Sequence, residues 1–145
     1  MILRTARELG FKRRILAWAV GPIRGNIAMP ELLFSDAKTA LRHLREVRAG
    51  RERRLAHGLF TSDLRTPPEV LLRRNWLDAL GHYCPGAVIA DRSAQLARPD
   101  DRGDLFVIHP REKPLRLPGL CIVPRMGPAA LDGDVALPQG VHLSS

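Results

Sequence analysis

The most constraining feature of this sequence is a helical repeat that ends at a glycine and is followed at once by a hairpin signal. Apolar residues recur at helical spacing over residues 35–49. Ser35 or Asp36 can cap the start of this helix. Gly50 can end it, because glycine readily adopts the left-handed conformation that follows many helices. The sequence therefore predicts a helix over 35–49 with a sharp stop.

A hairpin is expected directly after that stop. His57-Gly58 is a turn signal between two short segments, 53–56 and 59–61, which are predicted to be antiparallel strands. A helix, a glycine and a basic two-stranded ribbon in this order are typical of a winged helix-turn-helix, where the wing follows the recognition helix. The predicted fold class is α+β, with a winged helix-turn-helix half followed by a small β-rich half.

The predicted helix has two different faces. At about 100° per residue, its apolar side chains fall in one stripe, which an amphipathic helix would bury. The members of this stripe are Ala37, Ala40, Leu41, Leu44 and Val47. Lys38, Arg42 and Arg45 cluster within about 60° of each other on the other side. We expect the helix to pack through its leucines and to present three cations to solvent.

Positive charge is concentrated in the first half of the chain. Residues 1–77 hold 16 lysines and arginines against 7 acidic residues, whereas residues 78–145 hold 7 against 8. Arginine makes up 20 of the 23 basic residues, and its guanidinium pairs bidentately with phosphate and with guanine edges. A GC-rich coding bias would explain the preference for arginine over lysine, but it would not explain the asymmetry. The asymmetry indicates a polyanionic partner.

The densest part of this charge covers the predicted helix and hairpin, with seven cations in the 17 residues 38–54, offset only by Glu46 and Glu52. The predicted DNA-binding residues are Lys38, Arg42, Arg45, Arg48, Arg51, Arg53, Arg54 and His57. The alternative interpretation is an ordinary solvated helix face next to a charged loop. Clustering on one face and continuation into a hairpin favour DNA, because two elements then converge on one groove.

The rest of the chain is predicted to hold further helices and short strands. A first helix is expected over 5–19, and a second over 66–81, with Thr66 as its cap and Glu69 completing a capping box. Strands are predicted at 87–90, 105–108, 120–123, 135–137 and 141–143, with a short helix over 91–97. These elements suggest two regions, a basic winged-helix region over 1–64 and a capped helix with a β-rich segment over 65–145.

The last predicted strand runs to the very end of the chain. An ordered element in this position suggests a truncated or split reading frame. It would also leave a sheet edge able to pair with another chain, unless loops rich in proline cover it.

No constellation for catalysis stands out. The sequence holds no glycine-rich phosphate loop, nucleophile elbow or H-E-x-x-H motif. The acidic residues within 100–104 and 132–134 lie at turn signals, and Cys84 and Cys121 lack the paired spacing of a zinc site. We predict a protein that is not an enzyme, with two free thiols, no cofactor and no metal.

A cytoplasmic protein without membrane association is expected. No apolar run reaches the ~20 residues that a membrane-spanning helix needs. Lys12-Arg13-Arg14 followed by the apolar segment 15–23 imitates an export signal, but Gly21-Pro22 interrupts that segment and Arg24 ends it.

Two stretches of the chain resemble known families. Segments 47–50 and 54–60 resemble the end of the winged-helix domain of AbiEi-type antitoxins, where a basic helix leads into an R-x-x-x-G-x-Y wing. Segments 67–76 and 85–94 look like the N-terminal region of long Fic-family proteins, which pair an antitoxin-like region with a C-terminal Fic domain. Residues 117–120 and 141–145 match the same region, and the resemblance covers about residues 37–145.

The resemblance implies a winged helix that reads DNA, with Lys38, Arg42 and Arg45 on the helix and Arg53 and Arg54 on the wing. It does not imply an enzyme. The Fic signature H-P-F-x-x-G-N-G-R is absent, since the His-Pro pair at 109–110 is followed by Arg-Glu, and a phenylalanine at 60 stands where the wing usually has tyrosine.

The expected function is that of a non-catalytic, DNA-binding, antitoxin-like transcription regulator of a toxin–antitoxin system. The alternative is a detached or truncated N-terminal interaction module of a Fic-family adenylyltransferase. The expected partners are double-stranded DNA and a cognate toxin or Fic-domain protein. RNA binding is a third hypothesis, which fits the charge but lacks the exposed aromatic residues on which single strands stack.

Overall fold

The computed structural model describes residues 30–145, which form a mixed α+β structure of four helices and two sheets. The helices are α1 (Ala40–Arg48), α2 (Pro68–Arg74), α3 (Trp76–Tyr83) and α4 (Asp91–Leu96). The strands are β1 (Leu33–Phe34), β2 (Arg53–Ala56), β3 (Leu59–Thr61), β4 (Val88–Ile89), β5 (Asp104–Ile108), β6 (Leu115–Leu117), β7 (Leu120–Arg125), β8 (Val135–Ala136) and β9 (His142–Leu143). The predicted helix over 5–19 and the signal-like segment over 12–24 lie outside the described residues.

The smaller sheet is antiparallel, with the strand order β1-β3-β2. The predicted hairpin is confirmed, because β2 and β3 occupy the expected residues and Gly58 between them has a φ of +69°. Residues 33 and 34, just before the predicted helix, form β1, which pairs Leu33 with Phe60 and Phe34 with Leu59. The central strand β3 is therefore bonded on both sides, and all three of its residues are buried.

Helix α1 is shorter at its start than the pattern predicts. The carboxylate of Asp36 accepts the backbone N–H groups of Lys38 and Thr39, and the Thr39 hydroxyl accepts the N–H of Asp36 in return. These hydrogen bonds lower the pKa of Asp36, and the bonds from Thr39 have the largest effect. The reciprocal pair holds a turn, so the regular helix begins only at Ala40. Gly50, with a φ of +74°, follows the end of the helix as expected.

The predicted helix over 66–81 is two helices, α2 and α3, separated at Asn75. The Asn75 side-chain amide and its backbone N–H both donate to the Leu71 carbonyl, 2.9 and 3.0 Å away, and the backbone leaves helical geometry there. The predicted capping box is wrong. The hydroxyl of Thr66 donates to the Asp63 carboxylate at 2.5 Å, and α2 starts at Pro68 without a side-chain cap.

The larger sheet is mixed, with the strand order β6-β7-β5-β4-β9-β8. Strand β5 runs parallel to β7, and β4 runs parallel to β9, while the other neighbours are antiparallel. Strands β4, β5, β7, β8 and β9 were predicted, but β6 was not. The expectation that the last strand leaves a free edge is wrong, because β9 lies between β4 and β8 and is bonded to both.

The core is built mainly from aliphatic side chains of both sheets and of α2 and α3. One cluster of buried residues includes Leu55 and Leu59 of the hairpin, Leu71 and Leu80 of the helices, and Leu105 of the larger sheet. The division of the chain between residues 64 and 65 stays a prediction. Within residues 30–145, no helix combines the length and apolar character needed to cross a membrane.

Candidate nucleic-acid interface

One side of α1 carries four exposed cations, Lys38, Arg42, Arg45 and Arg48, which we call the basic helix face. Lys38 lies in the turn that leads into α1, and the three arginines lie on the helix itself. Among the residues that the structure describes, none of the four forms an ion pair with a carboxylate. Unpaired guanidinium and ammonium groups in solvent are suited to bind phosphate oxygens.

The leucines of α1 do not pack as the sequence predicts. Leu41 is 69% exposed and Leu44 is 46% exposed, so both lie on the solvent side, among the cations. The buried side chain of α1 is His43, which is only 3% exposed, and it is flanked by the half-buried Ala40 and Val47. The buried side is therefore displaced around the helix axis by roughly 60° from the predicted stripe, toward His43 and away from the two leucines. The cause is that periodicity counts histidine as polar, whereas this histidine has partners that satisfy it.

Those partners belong to the segment that follows the helix. The His43 Nδ1 atom lies 2.7 Å from the Glu52 Oε1 atom, and the two side chains are 4% and 11% exposed. The His43 ring stacks on the ring of Phe60, with centroids 4.9 Å apart and an interplanar angle of 8°. His43 is not among the site residues predicted from the sequence. Its spacing from Ala40 and Val47, three and four residues away, is the signal that could have identified it.

Glu46, the other carboxylate within residues 38–54, is also paired. The Arg51 guanidinium donates two hydrogen bonds to the Glu46 carboxylate, at 2.7 and 2.9 Å. This hydrogen-bonded pair lowers the pKa of Glu46 and raises the pKa of Arg51. Arg51 is exposed, but its charge is offset locally, so it contributes less to the potential of this surface than the basic helix face does.

Arg53 differs from the other predicted DNA-binding residues, because its side chain is used inside the protein. Its Nε atom donates to the Asp63 carbonyl at 2.8 Å, and its Nη2 atom donates to the Thr66 carbonyl. The carboxylate of Asp63 accepts bonds from the Thr66 hydroxyl and from two backbone N–H groups, which lower its pKa to about 2. Arg53 thus anchors the connection between the hairpin and α2.

Near its turn the hairpin exposes Arg54, which lies on β2, and His57, which lies in the turn itself; we call these two residues the hairpin tip. The Arg54 Nη2 atom lies 3.3 Å from the His57 Nδ1 atom. Two hydrogen bonds from other segments hold the turn in place. The Tyr83 hydroxyl donates to the His57 carbonyl at 3.1 Å, and the backbone N–H of Ser35 donates to the Gly58 carbonyl at 2.9 Å. The hairpin is therefore a supported ribbon with a basic tip.

The β-rich half uses its polar groups for turns and for packing. The Asp100 carboxylate accepts the N–H groups of Arg102 and Asp104, and the Nδ1 atom of His109 accepts the N–H of Arg111. Within residues 30–145, no three His, Cys, Asp or Glu side chains lie close enough to hold a metal ion.

The two thiols are free; that of Cys84 is buried and that of Cys121 is half-buried. Burial raises the pKa of both thiols, which disfavours the nucleophilic thiolate.

Comparisons of the chain with protein-family models, with curated proteins and with solved structures find no match. The resemblance to AbiEi-type antitoxins and Fic-family proteins therefore rests on the motif residues alone.

The orientation of α1 leads to a stability prediction opposite to the one that the apolar pattern suggests. Replacing Leu41 and Leu44 with alanine should change the free energy of unfolding by less than about 0.5 kcal/mol each, because both side chains are exposed. Leu72 and Leu80 are fully buried, and their replacement by alanine should cost about 2–5 kcal/mol each. Urea unfolding of the four variants measures this contrast. Comparable losses in both pairs would show that Leu41 and Leu44 are covered.

Proposed function

We propose that this protein is a non-catalytic, DNA-binding regulator of the antitoxin type, which binds duplex DNA with a winged-helix-like unit formed by α1 and the β2–β3 hairpin. In this proposal the basic helix face lies against the duplex as the recognition element. The hairpin acts as the wing and adds Arg54 and His57 at its tip. The order of helix, glycine and antiparallel ribbon supports the proposal, as does the third strand β1 beside the hairpin.

The proposal depends most on one observation: the carboxylates near α1 are paired with other side chains, whereas among the described residues the cations of the basic helix face are not. Both carboxylates within residues 38–54 are committed, Glu52 to His43 and Glu46 to Arg51. Within residues 30–145, the four cations of the basic helix face remain without a carboxylate partner. A surface with unneutralised charge on one helix gains affinity for DNA by releasing counterions from the phosphates.

The test of this proposal is the salt dependence of binding. Fluorescence anisotropy with a labelled duplex should show binding at low salt. The logarithm of the association constant should fall linearly with the logarithm of the salt concentration, with a slope of about −3 to −4.5 for ~3–5 phosphate contacts. A slope near zero, or no binding at low salt, would contradict the proposal.

Single-stranded RNA of the same length serves as the comparison ligand. If it bound more tightly than the duplex at every salt concentration, the RNA hypothesis would replace the DNA one.

A second candidate function, an interaction module related to the N-terminal region of Fic-family proteins, has one observation in its favour. Leu41 and Leu44 are exposed one helical turn apart, on the same side of α1 as the cations, and adjacent exposed apolar side chains indicate a protein contact more strongly than single ones do. The adjacent reading frame distinguishes the two functions. If it encodes a nucleotidyltransferase-like toxin that co-purifies with this protein on co-expression, the antitoxin function is supported. If it encodes a Fic domain in phase with this chain, the interaction module is supported.

A further inference from the structure

His43 is a buried polar side chain on the inner side of α1. It lies about 200° around the helix from Arg45, so it faces away from the basic helix face. One edge of its ring contacts the Glu52 carboxylate at 2.7 Å, and its flat side stacks on Phe60 of the central strand β3. A single imidazole therefore contacts both the connection after α1 and the sheet beneath it.

The connection between α1 and the hairpin is short and held at several points. Only residues 49–52 separate the end of α1 from the start of β2. The N–H groups of Arg51 and Glu52 both donate to the Glu46 carbonyl, at 2.9 and 3.2 Å. Glu52 is the last residue before β2, and its contact with His43 ties that end of the connection to the buried side of the helix.

From this arrangement we infer that His43 and Glu52 form a positioning pair, which holds the basic helix face and the hairpin tip in one fixed geometry for binding DNA. The inference rests on the proposed function. The cations on α1 and Arg54 on the hairpin belong to two elements, and they can contact one duplex together only at a suitable angle between those elements. Fixing that angle before binding removes an ordering cost that the complex would otherwise bear.

The test separates the reach of the Glu52 side chain from its charge. Glu52→Asp keeps the charge but withdraws the carboxylate by one methylene, so it should lose the contact with His43. We expect its affinity for duplex DNA to fall about 3- to 10-fold, because the geometry is no longer fixed in advance. Glu52→Gln keeps an acceptor oxygen within reach and should bind within about twofold of wild type.

The matched controls are Glu31→Asp and Glu31→Gln. Glu31 also pairs with a side chain of the described chain, but its partner is Arg74 of α2, which is not part of the basic helix face. Each control changes charge and length as its Glu52 counterpart does, and both should bind DNA like wild type. A purely electrostatic role for Glu52 predicts the reverse order. Glu52→Gln would then bind more tightly than wild type, and Glu52→Asp would be unchanged.

Hydrogen exchange of the free protein gives a readout that does not depend on DNA. Glu52→Asp should speed exchange of the backbone amides in α1 and the hairpin, while those of the larger sheet keep the wild-type rate. If Glu52→Asp binds DNA as Glu31→Asp does, or if its exchange is unchanged, the inference is overturned while the proposed function stands. A wild-type protein that binds no DNA overturns both.

Discussion

Replacing Arg42 and Arg45 together with alanine is expected to weaken binding to duplex DNA roughly 10- to 100-fold in about 0.1 M salt, because two phosphate contacts are lost. The salt slope should become less negative by about 1.8 for the same reason. Both side chains are exposed and form no ion pair with a described residue, so the melting temperature should stay at the wild-type value. Anisotropy titrations and circular dichroism melting curves measure the two quantities on the same preparation.

The matched control removes two arginines from the other half of the chain. Arg92 and Arg98 are exposed, on or just after the short helix α4, and their replacement by alanine lowers the net charge by the same amount. This double variant should keep most of the affinity, because its charges lie outside the basic helix face. Equal losses in the two double variants would show that binding depends on net charge alone, and the proposed interface would then be wrong.

The largest loss of stability is expected from Gly103→Ala. Gly103 is buried just before β5 and has a φ of +86°, a conformation that costs an alanine about 1–2 kcal/mol. A Cβ atom there would also overlap the Gly119 carbonyl oxygen, which lies well inside 3.0 Å of its position. Since the clash is with backbone, two segments of the larger sheet would have to move apart. We expect a total cost of about 3–5 kcal/mol.

Gly86 provides the control for the backbone conformation alone. Its φ of +77° is similar, but no atom beyond its two chain neighbours lies within 4 Å of the position that a Cβ would occupy. Gly86→Ala should therefore cost only about 1–2 kcal/mol. In thermal melting this corresponds to a decrease of about 2–8 °C in the melting temperature, against about 6–20 °C for Gly103→Ala. Similar decreases for both variants would mean that the contact between a Cβ at position 103 and the Gly119 carbonyl does not destabilise the protein.

Several features of this protein follow from local sequence. The hairpin is predicted at its observed residues because the turn at His57-Gly58 depends on one glycine with a positive φ, which is a local property. The exposure of Arg42 and Arg45 also follows from local pattern, because burying an unpaired guanidinium is too costly for almost any fold. The charge asymmetry that motivates the proposed function is a property of the sequence itself.

Other features depend on contacts between residues far apart in the chain. The buried side of α1 depends on His43, which could be buried only because the carboxylate of Glu52 and the ring of Phe60 meet it there. Periodicity assigns histidine to the solvent side and cannot include a partner that the fold supplies. For the same reason it places Leu41 and Leu44 in the core, where the structure does not have them.

The positions of strands within the larger sheet also required the tertiary structure. The residues of β9 have the composition of a strand, and the sequence alone predicts that much. Its place between β4 and β8, and not at an edge, depends on pairing with residues 88–89, more than 50 positions earlier. Composition and local pattern thus determined where the cations, the hairpin and most strands lie along the chain. Non-local contacts decided which side of α1 is buried and which strands are neighbours. The reason is that a short segment alone can neither pair its buried polar groups nor cover its apolar surface.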